Sequence, residues 1–265
     1  GFGPLMLGLM RFHWATFVLC GIIPWLFVPC VYWSRKNKAA EALFSVIPFA
    51  IIILCFQLAQ SIKFFPAPIR SGLAAGDLAG FICPVFAVKK GLMGLGFYHC
   101  AMGTLLIGAV MAIKARRTSV FIVMMISVLL AFFGAVFRVS PVIWLSIFAV
   151  CGAIVCGEGI QGMLMAGVND VKWLCGAVLL LVFCGVLAMF FAGRAEEVFA
   201  GLGNGYGKIF DFEAKMYLMA AAVPAIIALL VLSRTRAKWF RATMLCAAFA
   251  VDIYLSASMI VDMKL

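Results

Sequence analysis

The amino-acid sequence predicts an all-α, polytopic integral membrane protein with eight transmembrane helices. Of its 265 residues, 66% are hydrophobic and only 12% are charged, whereas soluble domains carry about 45–50% apolar and about 25% charged residues. Apolar stretches of about 18 residues or more, long enough to cross a bilayer, recur along the whole chain. These stretches are continuous rather than alternating, so we expect helices and not a β-barrel. Residues 1–265 then form a single transmembrane domain.

Eight segments meet this length and composition. In chain order they are Trp14–Trp33, Glu41–Gln60, Gly91–Ile113, Ser119–Phe137, Pro141–Leu164, Val171–Phe191, Ala214–Leu232 and Phe240–Val261. Pro141 suits the first turn of a helix, where its missing N–H costs nothing. Pro224 lies inside the seventh segment and predicts a kink.

Two connections between these spans are long. Residues 63–90 are too apolar for an ordinary loop and too interrupted by proline for a span, so we predict an interfacial or re-entrant segment. Residues 193–213 contain a cluster of glycines and several acidic residues, and we predict an extracytoplasmic loop.

The formal charge of +11 comes largely from short basic clusters beside the apolar segments. This arrangement indicates topology and contact with lipid headgroups rather than nucleic-acid binding. Dense basic charge in the short loops marks the cytoplasmic side, so both termini and both long connections are predicted to be extracytoplasmic. We therefore expect a multi-pass protein of a bacterial or archaeal cytoplasmic membrane.

The ten cysteines include no CxxC pair, and there are only two histidines, His13 and His99. Metal sites need Cys or His clusters at regular spacing, so we expect no metal site and no iron–sulfur cluster in this chain. His13 and His99 could together ligate a haem, but His13 beside Trp14 is better explained as an interfacial residue. We therefore expect no haem.

Ionisable residues inside a membrane span are costly, which makes each a functional candidate. Gln57 and Lys63 lie along one face at the outer end of span two, and His99 lies in span three. Glu158 in span five and Asp252 in span eight are candidates for a proton path. For each residue the alternative is structural: hydrogen bonding between helices, a Lys that reaches the interface, or a carboxyl group kept protonated by burial.

The order of these features resembles the membrane anchor subunit of dimethyl-sulfoxide-reductase-type respiratory enzymes, and more distantly polysulfide-reductase anchors. In that family, span two leads into a Ser, then a His, then a Pro-x-Arg. Ser61, Pro68 and Arg70 match in register, but Phe64 stands where the family has its quinol-associated His. That role would pass to Lys63 or His99. The segment after span six and the two closing spans also match the family layout.

The resemblance implies a quinone- or quinol-binding anchor subunit, with menaquinone or ubiquinone as its cofactor. The anchor would exchange electrons with an extracytoplasmic iron–sulfur subunit that sits beside a catalytic molybdenum subunit. The chain itself would be a quinol-oxidising or a non-catalytic subunit. A small-solute transporter or permease, or a structural subunit of a larger membrane complex, remains an alternative.

We expect the quinone headgroup near Gln57, Lys63, Arg70 and His99. Span two runs outward to Lys63, while span three begins outside and reaches His99 after about 12 Å at about 1.5 Å per residue. These residues would therefore share a depth in the outer leaflet. A few convergent polar groups among apolar side chains suit a quinone ring.

Overall fold

The computed structural model describes residues 73–89, 95–114, 119–133, 141–194, 206–233 and 238–262, together with Pro4 and Leu54. Within these ranges the chain forms helices joined by turns, and no strand. The first element is a 3-10 helix, Ala75–Phe81, and a second short 3-10 helix is Val168–Asp170. The α-helices are α1 (Pro84–Lys89), α2 (His99–Lys114), α3 (Ser119–Phe132), α4 (Pro141–Met165), α5 (Val171–Gly193), α6 (Tyr206–Leu232) and α7 (Lys238–Asp262).

Within the described ranges, four helical segments are long and apolar enough to cross a membrane. They are Trp144–Met165, Val168–Gly193, Tyr206–Leu232 and Lys238–Val261. Two shorter apolar helices are His99–Lys114 and Val120–Phe132. Large apolar side chains point outward from these helices; Leu179 is 71% exposed and Leu229 is 66% exposed. Such apolar outer surfaces suit lipid rather than water, so the protein is an all-helical membrane protein.

The predicted helix bounds agree closely with the structure for spans five, six and eight. Span three differs, because α2 begins at His99 rather than at Gly91. Span seven also differs: α6 begins at Tyr206, inside the segment predicted as a loop. Spans one and two, Trp14–Trp33 and Glu41–Gln60, lie outside the described residues, so the total of eight spans stays a prediction.

Helices α2 and α4 cross with their backbones in contact. A Cβ atom added to Gly159 would lie 1.9 Å from the carbonyl oxygen of Thr104, and one added to Gly108 would lie 1.9 Å from that of Val155. Only glycine fits such a crossing, and small residues at helix interfaces are typical of membrane bundles. This crossing fixes the position of α2 in the bundle.

Helices α5 and α6 run antiparallel. Ala188, late in α5, belongs to the same buried cluster as Ile209, early in α6. Leu174, early in α5, shares another cluster with Val231, late in α6. The bundle therefore has two distinguishable ends, one at the start of α6 and the other at its end.

The short helix α1 is buried at the end of the bundle where α6 starts. Val85 and Val88 are fully covered, and they pack with Phe210 of α6 and Ile260 of α7. The Phe86 ring lies 4.8 Å from the Phe210 ring, centroid to centroid. The described part of the 63–90 connection thus belongs to the packed bundle, and its interfacial or re-entrant placement in the membrane stays a prediction.

The opposite end of the bundle carries basic side chains. Arg241 of α7 is buried, and its Nη1 donates a hydrogen bond of 3.0 Å to the carbonyl oxygen of Ala166, just past the end of α4. A cation at a helix C-terminus interacts favourably with the helix dipole and with the carbonyls left unpaired there. The charge therefore helps to stabilise this end of α4.

Candidate functional site

The centre of the candidate site is His99, the first residue of α2, whose side chain is 0% exposed. Its Nε2 lies 2.5 Å from Oε2 of Glu213 in α6. Its Nδ1 lies 2.9 Å from Oδ1 of Asp252 in α7. Both carboxylates are buried as well. Three helices thus meet through one imidazole held between two acids, which we call the acid–histidine cluster (His99, Glu213 and Asp252).

Glu213 is held in place by the start of α1. Its Oε1 accepts hydrogen bonds from the backbone N–H groups of Val85, at 2.7 Å, and Phe86, at 3.4 Å. The first residue of α1 is Pro84, which has no N–H to satisfy. The carboxylate therefore takes up two of the donors that a helix start leaves unpaired, where a negative charge is also favoured by the helix dipole.

Asp252 has an equivalent role at the start of α2. Its Oδ2 accepts a hydrogen bond of 2.7 Å from the backbone N–H of Cys100. Ser256, one turn further along α7, donates to Oδ1 of Asp252 at 3.3 Å. Each acid of the acid–histidine cluster thus bonds the imidazole on one side and a helix N-terminus on the other.

The hydrogen-bond pattern restricts how many protons the cluster holds. A neutral imidazole has one N–H, yet both ring nitrogens of His99 face carboxylate oxygens. Both contacts are hydrogen bonds only if one more proton is present, either on the imidazole or on one carboxyl group. In both cases the cluster has a net charge of −1. Removing that proton would leave one ring nitrogen lone pair facing a carboxylate.

Two tyrosines flank the histidine. The Tyr217 ring meets the His99 ring edge to face, with centroids 4.6 Å apart. Tyr98 directly precedes the histidine, and both tyrosines are buried. Among the residues that the structure describes, neither hydroxyl has a hydrogen-bond partner. Buried polar groups are nearly always paired, so these two hydroxyls are available to a water or to a ligand oxygen beside the cluster.

A small cavity lies between α2, α6 and α7, next to the acid–histidine cluster. Its lining includes Cys100 and Thr104 of α2 and Ala220 and Pro224 of α6. Its volume, measured for the centre of a water-sized sphere, is about 10 Å³, close to what one water molecule needs. Because Pro224 has no N–H, the carbonyl of Ala220 loses its usual partner in the helix. The cavity therefore suits a water molecule and is too small for a quinone ring.

The structure brings together two of the residues singled out from the sequence, His99 and Asp252. Glu158 lies on α4, half-buried, and is not a member of the acid–histidine cluster. Gln57, Lys63 and Arg70 lie outside the described residues, so their place near His99 stays a prediction. Among the residues that the structure describes, no group of three or more His, Cys, Asp or Glu side chains is arranged to hold a metal ion.

Glu213 was not recognised as a site residue from the sequence. It follows Asp211 in a stretch with several charges, which is typical of an exposed loop. The available signal was helical spacing: Glu213 is followed at positions three, four and seven by Met216, Tyr217 and Ala220, all of them buried. The charged side chain therefore begins the inward-facing stripe of α6.

The chain matches no family model, no curated protein and no solved structure.

Proposed function

We propose that this chain is the quinone-binding membrane anchor of a respiratory oxidoreductase, and that its acid–histidine cluster accepts a proton released by quinol. The observation that supports the proposal is the burial of three ionisable groups within an apolar helical bundle. Ionisable groups are expensive in a membrane, and where they persist they commonly mark ion or proton pathways. Histidine is well suited to this role, since it exchanges its proton near neutral pH.

The proposed reaction balances as follows. Quinol loses two electrons and two protons to become quinone, and the electrons pass to the iron–sulfur subunit. One proton enters the cluster, whose net charge changes from −2 to −1. In the −1 state both imidazole–carboxylate contacts are hydrogen bonds, so proton uptake is favoured by the geometry. The second proton leaves by another route.

His99 acts in this scheme as the centre of the proton acceptor and not as a direct ligand of the quinone. Both of its ring nitrogens are already engaged by Glu213 and Asp252. A quinone oxygen could bond to the ring only by displacing one acid. We therefore assign the contacts to the quinone oxygens to Gln57, Lys63 and Arg70, on the strength of the sequence pattern alone.

The remaining parts of the proposal come from the sequence resemblance. They are a menaquinone or ubiquinone cofactor, an iron–sulfur electron-transfer subunit and a molybdenum catalytic subunit. The expected location is a bacterial or archaeal cytoplasmic membrane, with eight spans and both termini outside. The apolar helical bundle supports the membrane location in general terms.

Purification in a mild detergent tests the assignment to a respiratory complex. We expect the chain to bring with it subunits that contain iron–sulfur clusters and molybdenum. Organic extraction of the complex, followed by mass spectrometry, should detect quinone. A chain that purifies alone or only with copies of itself, without quinone, would overturn the proposal.

A variant of the intact complex tests the proton role. His99→Gln keeps hydrogen-bonding groups, but an amide cannot take up a proton near neutral pH. We expect quinol oxidation to fall by about 10²-fold, the size of a typical acid–base contribution. Cys246→Ala, on the exposed face of α7, is the matched control and should oxidise quinol at the wild-type rate. Wild-type turnover by an assembled His99→Gln complex would refute the role.

A proton-coupled transporter is the second candidate, and one observation favours it. Helix α6, which carries Glu213, contains Pro224 beside the small cavity, so one of its backbone carbonyls lacks its usual partner. Proline within a membrane helix and intramembrane acids are both found at transporter binding sites. In proteoliposomes a transporter would take up solute in response to a pH gradient, and Glu213→Gln would abolish this uptake. The anchor would show no such uptake.

A further inference from the structure

The small cavity beside the acid–histidine cluster is lined by all three helices that carry the cluster. Among its lining residues are Cys100 and Thr104 of α2, Ala220 and Pro224 of α6, and Leu245 and Ala248 of α7. Cys100 also contacts the cluster, because its backbone N–H donates to Oδ2 of Asp252. Whatever occupies the cavity therefore lies between the helices that hold His99 and Glu213 against each other.

The first polar group at the cavity is a backbone carbonyl of α6. In a regular helix the carbonyl oxygen of Ala220 accepts a hydrogen bond from the N–H of residue 224. Residue 224 is a proline, which has no N–H. Ala220 is only 3% exposed, so this oxygen is shielded from bulk solvent. Within a membrane such a carbonyl needs a substitute partner, which is commonly an ordered water or a neighbouring side chain.

The second polar group is the hydroxyl of Thr104, whose residue is 1% exposed. The single hydrogen of this hydroxyl is already used, since Oγ1 donates to the carbonyl oxygen of Ala101 at 2.9 Å. Towards the cavity the hydroxyl can therefore only accept a hydrogen bond. Thr104 cannot donate to the carbonyl of Ala220 without giving up its bond to Ala101. The cavity thus has one acceptor on α2 and another on α6.

Two acceptors require an occupant that has two donors, and the volume of the cavity limits its size. The space open to the centre of a water-sized sphere is about 10 Å³, close to what one water molecule needs. Other parts of the wall are apolar and include Met163, Leu181 and Phe249. A water molecule has two O–H donors and fits this space, whereas a larger alcohol or amine does not.

We propose that one ordered water occupies this cavity and donates hydrogen bonds to the carbonyl oxygen of Ala220 and to Oγ1 of Thr104. The water replaces the backbone hydrogen bond that Pro224 removes, and it connects α6 to α2. The same two helices carry Glu213 and His99, whose side chains are in contact. The water therefore helps to hold the two sides of that contact in register. This water site does not depend on the proposed quinol chemistry.

Radiolytic labelling of the intact protein in mild detergent tests for the water. A short X-ray pulse forms hydroxyl radicals from water, and an internal water molecule then oxidises the side chains beside it. Met163 lines the cavity and is 1% exposed, whereas Met216 is 3% exposed and is not part of the lining. We expect Met163 to be oxidised several times faster than Met216, as measured by mass spectrometry of the peptides. Equal rates for the two methionines would show that the cavity is dry and would overturn the proposal.

Two variants test the acceptors one at a time. Thr104→Val keeps the shape of the side chain but removes the hydroxyl, and Pro224→Ala supplies the N–H that the carbonyl of Ala220 lacks. Each variant should reduce the oxidation of Met163 to the rate seen for Met216. Labelling of Met163 that is unchanged in either variant would contradict the assigned hydrogen bonds.

Two further variants are the controls. Thr104→Ser keeps the hydroxyl and should keep the fast oxidation of Met163. Ser127→Ala removes another buried hydroxyl, which donates to the carbonyl oxygen of Val123 in its own helix and does not line the cavity. Ser127→Ala should therefore leave the oxidation of Met163 unchanged. Slow oxidation in either control would show that the labelling does not report on the hydroxyl of Thr104, and would overturn the proposal.

Unfolding equilibria in detergent show whether one water connects the two helices. In the wild-type background, Thr104→Val leaves the carbonyl of Ala220 without its donor, and we expect the unfolding equilibrium constant to rise about tenfold. In the Pro224→Ala background that carbonyl has a backbone donor, so Thr104→Val should change the constant by less than about twofold. An equal effect in the two backgrounds would overturn the water-mediated connection.

Discussion

Nε2 of His99 lies 2.5 Å from Oε2 of Glu213, and the two residues are 114 positions apart in the chain. The other oxygen of the same carboxylate accepts the backbone N–H of Val85. One side chain of α6 therefore ties the start of α2 to the start of α1. We expect changes at this residue to affect both the stability of the bundle and the proton chemistry of the site.

Replacing Glu213 with Gln tests the structural part of this role. Glutamine has nearly the same shape and can still accept a hydrogen bond from Val85, but it removes the negative charge between the imidazole and the start of α1. Breaking a buried ion pair by changing one partner costs about 3 kcal/mol or more. We expect a fall of this size in the free energy of unfolding, with a lower Tm in mild detergent.

The matched control lies on the same helix. Asp211 and Lys215 form an exposed ion pair at 2.5 Å, with side chains that are half or more exposed. Exposed pairs contribute little because water and salt screen them. Asp211→Asn should therefore leave the Tm almost unchanged. If both variants lowered the Tm equally, the buried contact of Glu213 would contribute no more to stability than the exposed pair of Asp211 and Lys215.

The two acids of the cluster should be energetically coupled. Either Glu213→Gln or Asp252→Asn alone removes one charged partner of His99. The double variant can hold a neutral imidazole between two amides, with one ring nitrogen donating and the other accepting. In that arrangement both contacts of the ring are hydrogen bonds, and no ionised group remains buried. The penalty for the double variant should thus be smaller than the sum of the single penalties, by about 0.5–3 kcal/mol. A double-mutant cycle of unfolding free energies measures this difference, and an additive result would argue against coupling.

The cluster could be predicted from the sequence only in part. His99 and Asp252 stand out because each is an isolated ionisable residue in an apolar stretch. Their pairing, across 153 positions, depends on how the helices pack. Glu213 was read as the last residue of an extracytoplasmic loop, because it closes a stretch with a glycine cluster and several acidic residues. The nearby charged residues Asp211 and Lys215 do lie on the exposed face of α6. A local charge pattern cannot tell which of several acids faces inward when a helix extends into the charged stretch.

The bounds of the helices could also be predicted only where the signal in the sequence is local. The start of α4 at Pro141 was predicted correctly, because proline at a first turn is a local signal. The start of α2 was placed too early, at Gly91. In the structure, residues 95–98 are not helical, and a Cβ atom added to Gly96 would lie 1.9 Å from the carbonyl oxygen of Gly80. The later start of α2 therefore coincides with a close contact between two separate backbone segments. No local sequence pattern reports such a contact.

The crossing of α2 and α4 gives a prediction with a control on the same helix. In Gly159→Ala the new methyl group would lie 1.9 Å from the carbonyl oxygen of Thr104, so the two backbones must separate. Overpacking of this kind costs about 1–3 kcal/mol. No atom of the described part of the chain lies within 4 Å of a Cβ added to Gly157. Gly157→Ala should therefore be neutral or stabilising by up to about 1 kcal/mol, because alanine favours helix. Unfolding in detergent compares the two variants, and equal stability would show that the crossing tolerates separation.

The orientation of the bundle in the membrane can be tested at the two ends of the antiparallel pair α5 and α6. Arg194 follows α5 at the end near the acid–histidine cluster, and Ser233 follows α6 at the end near Lys114 and Lys172. The positive-inside rule predicts that the lysine end faces the cytoplasm. Reporters fused to chains truncated at these two residues should therefore behave in opposite ways. Alkaline phosphatase, which is active only outside the cytoplasm, should be active after Arg194 and inactive after Ser233. Green fluorescent protein should fluoresce only after Ser233.

The reverse pattern of reporter activity would show that the protein has the opposite orientation. The acid–histidine cluster would then lie on the cytoplasmic side, where it could not serve an extracytoplasmic redox partner.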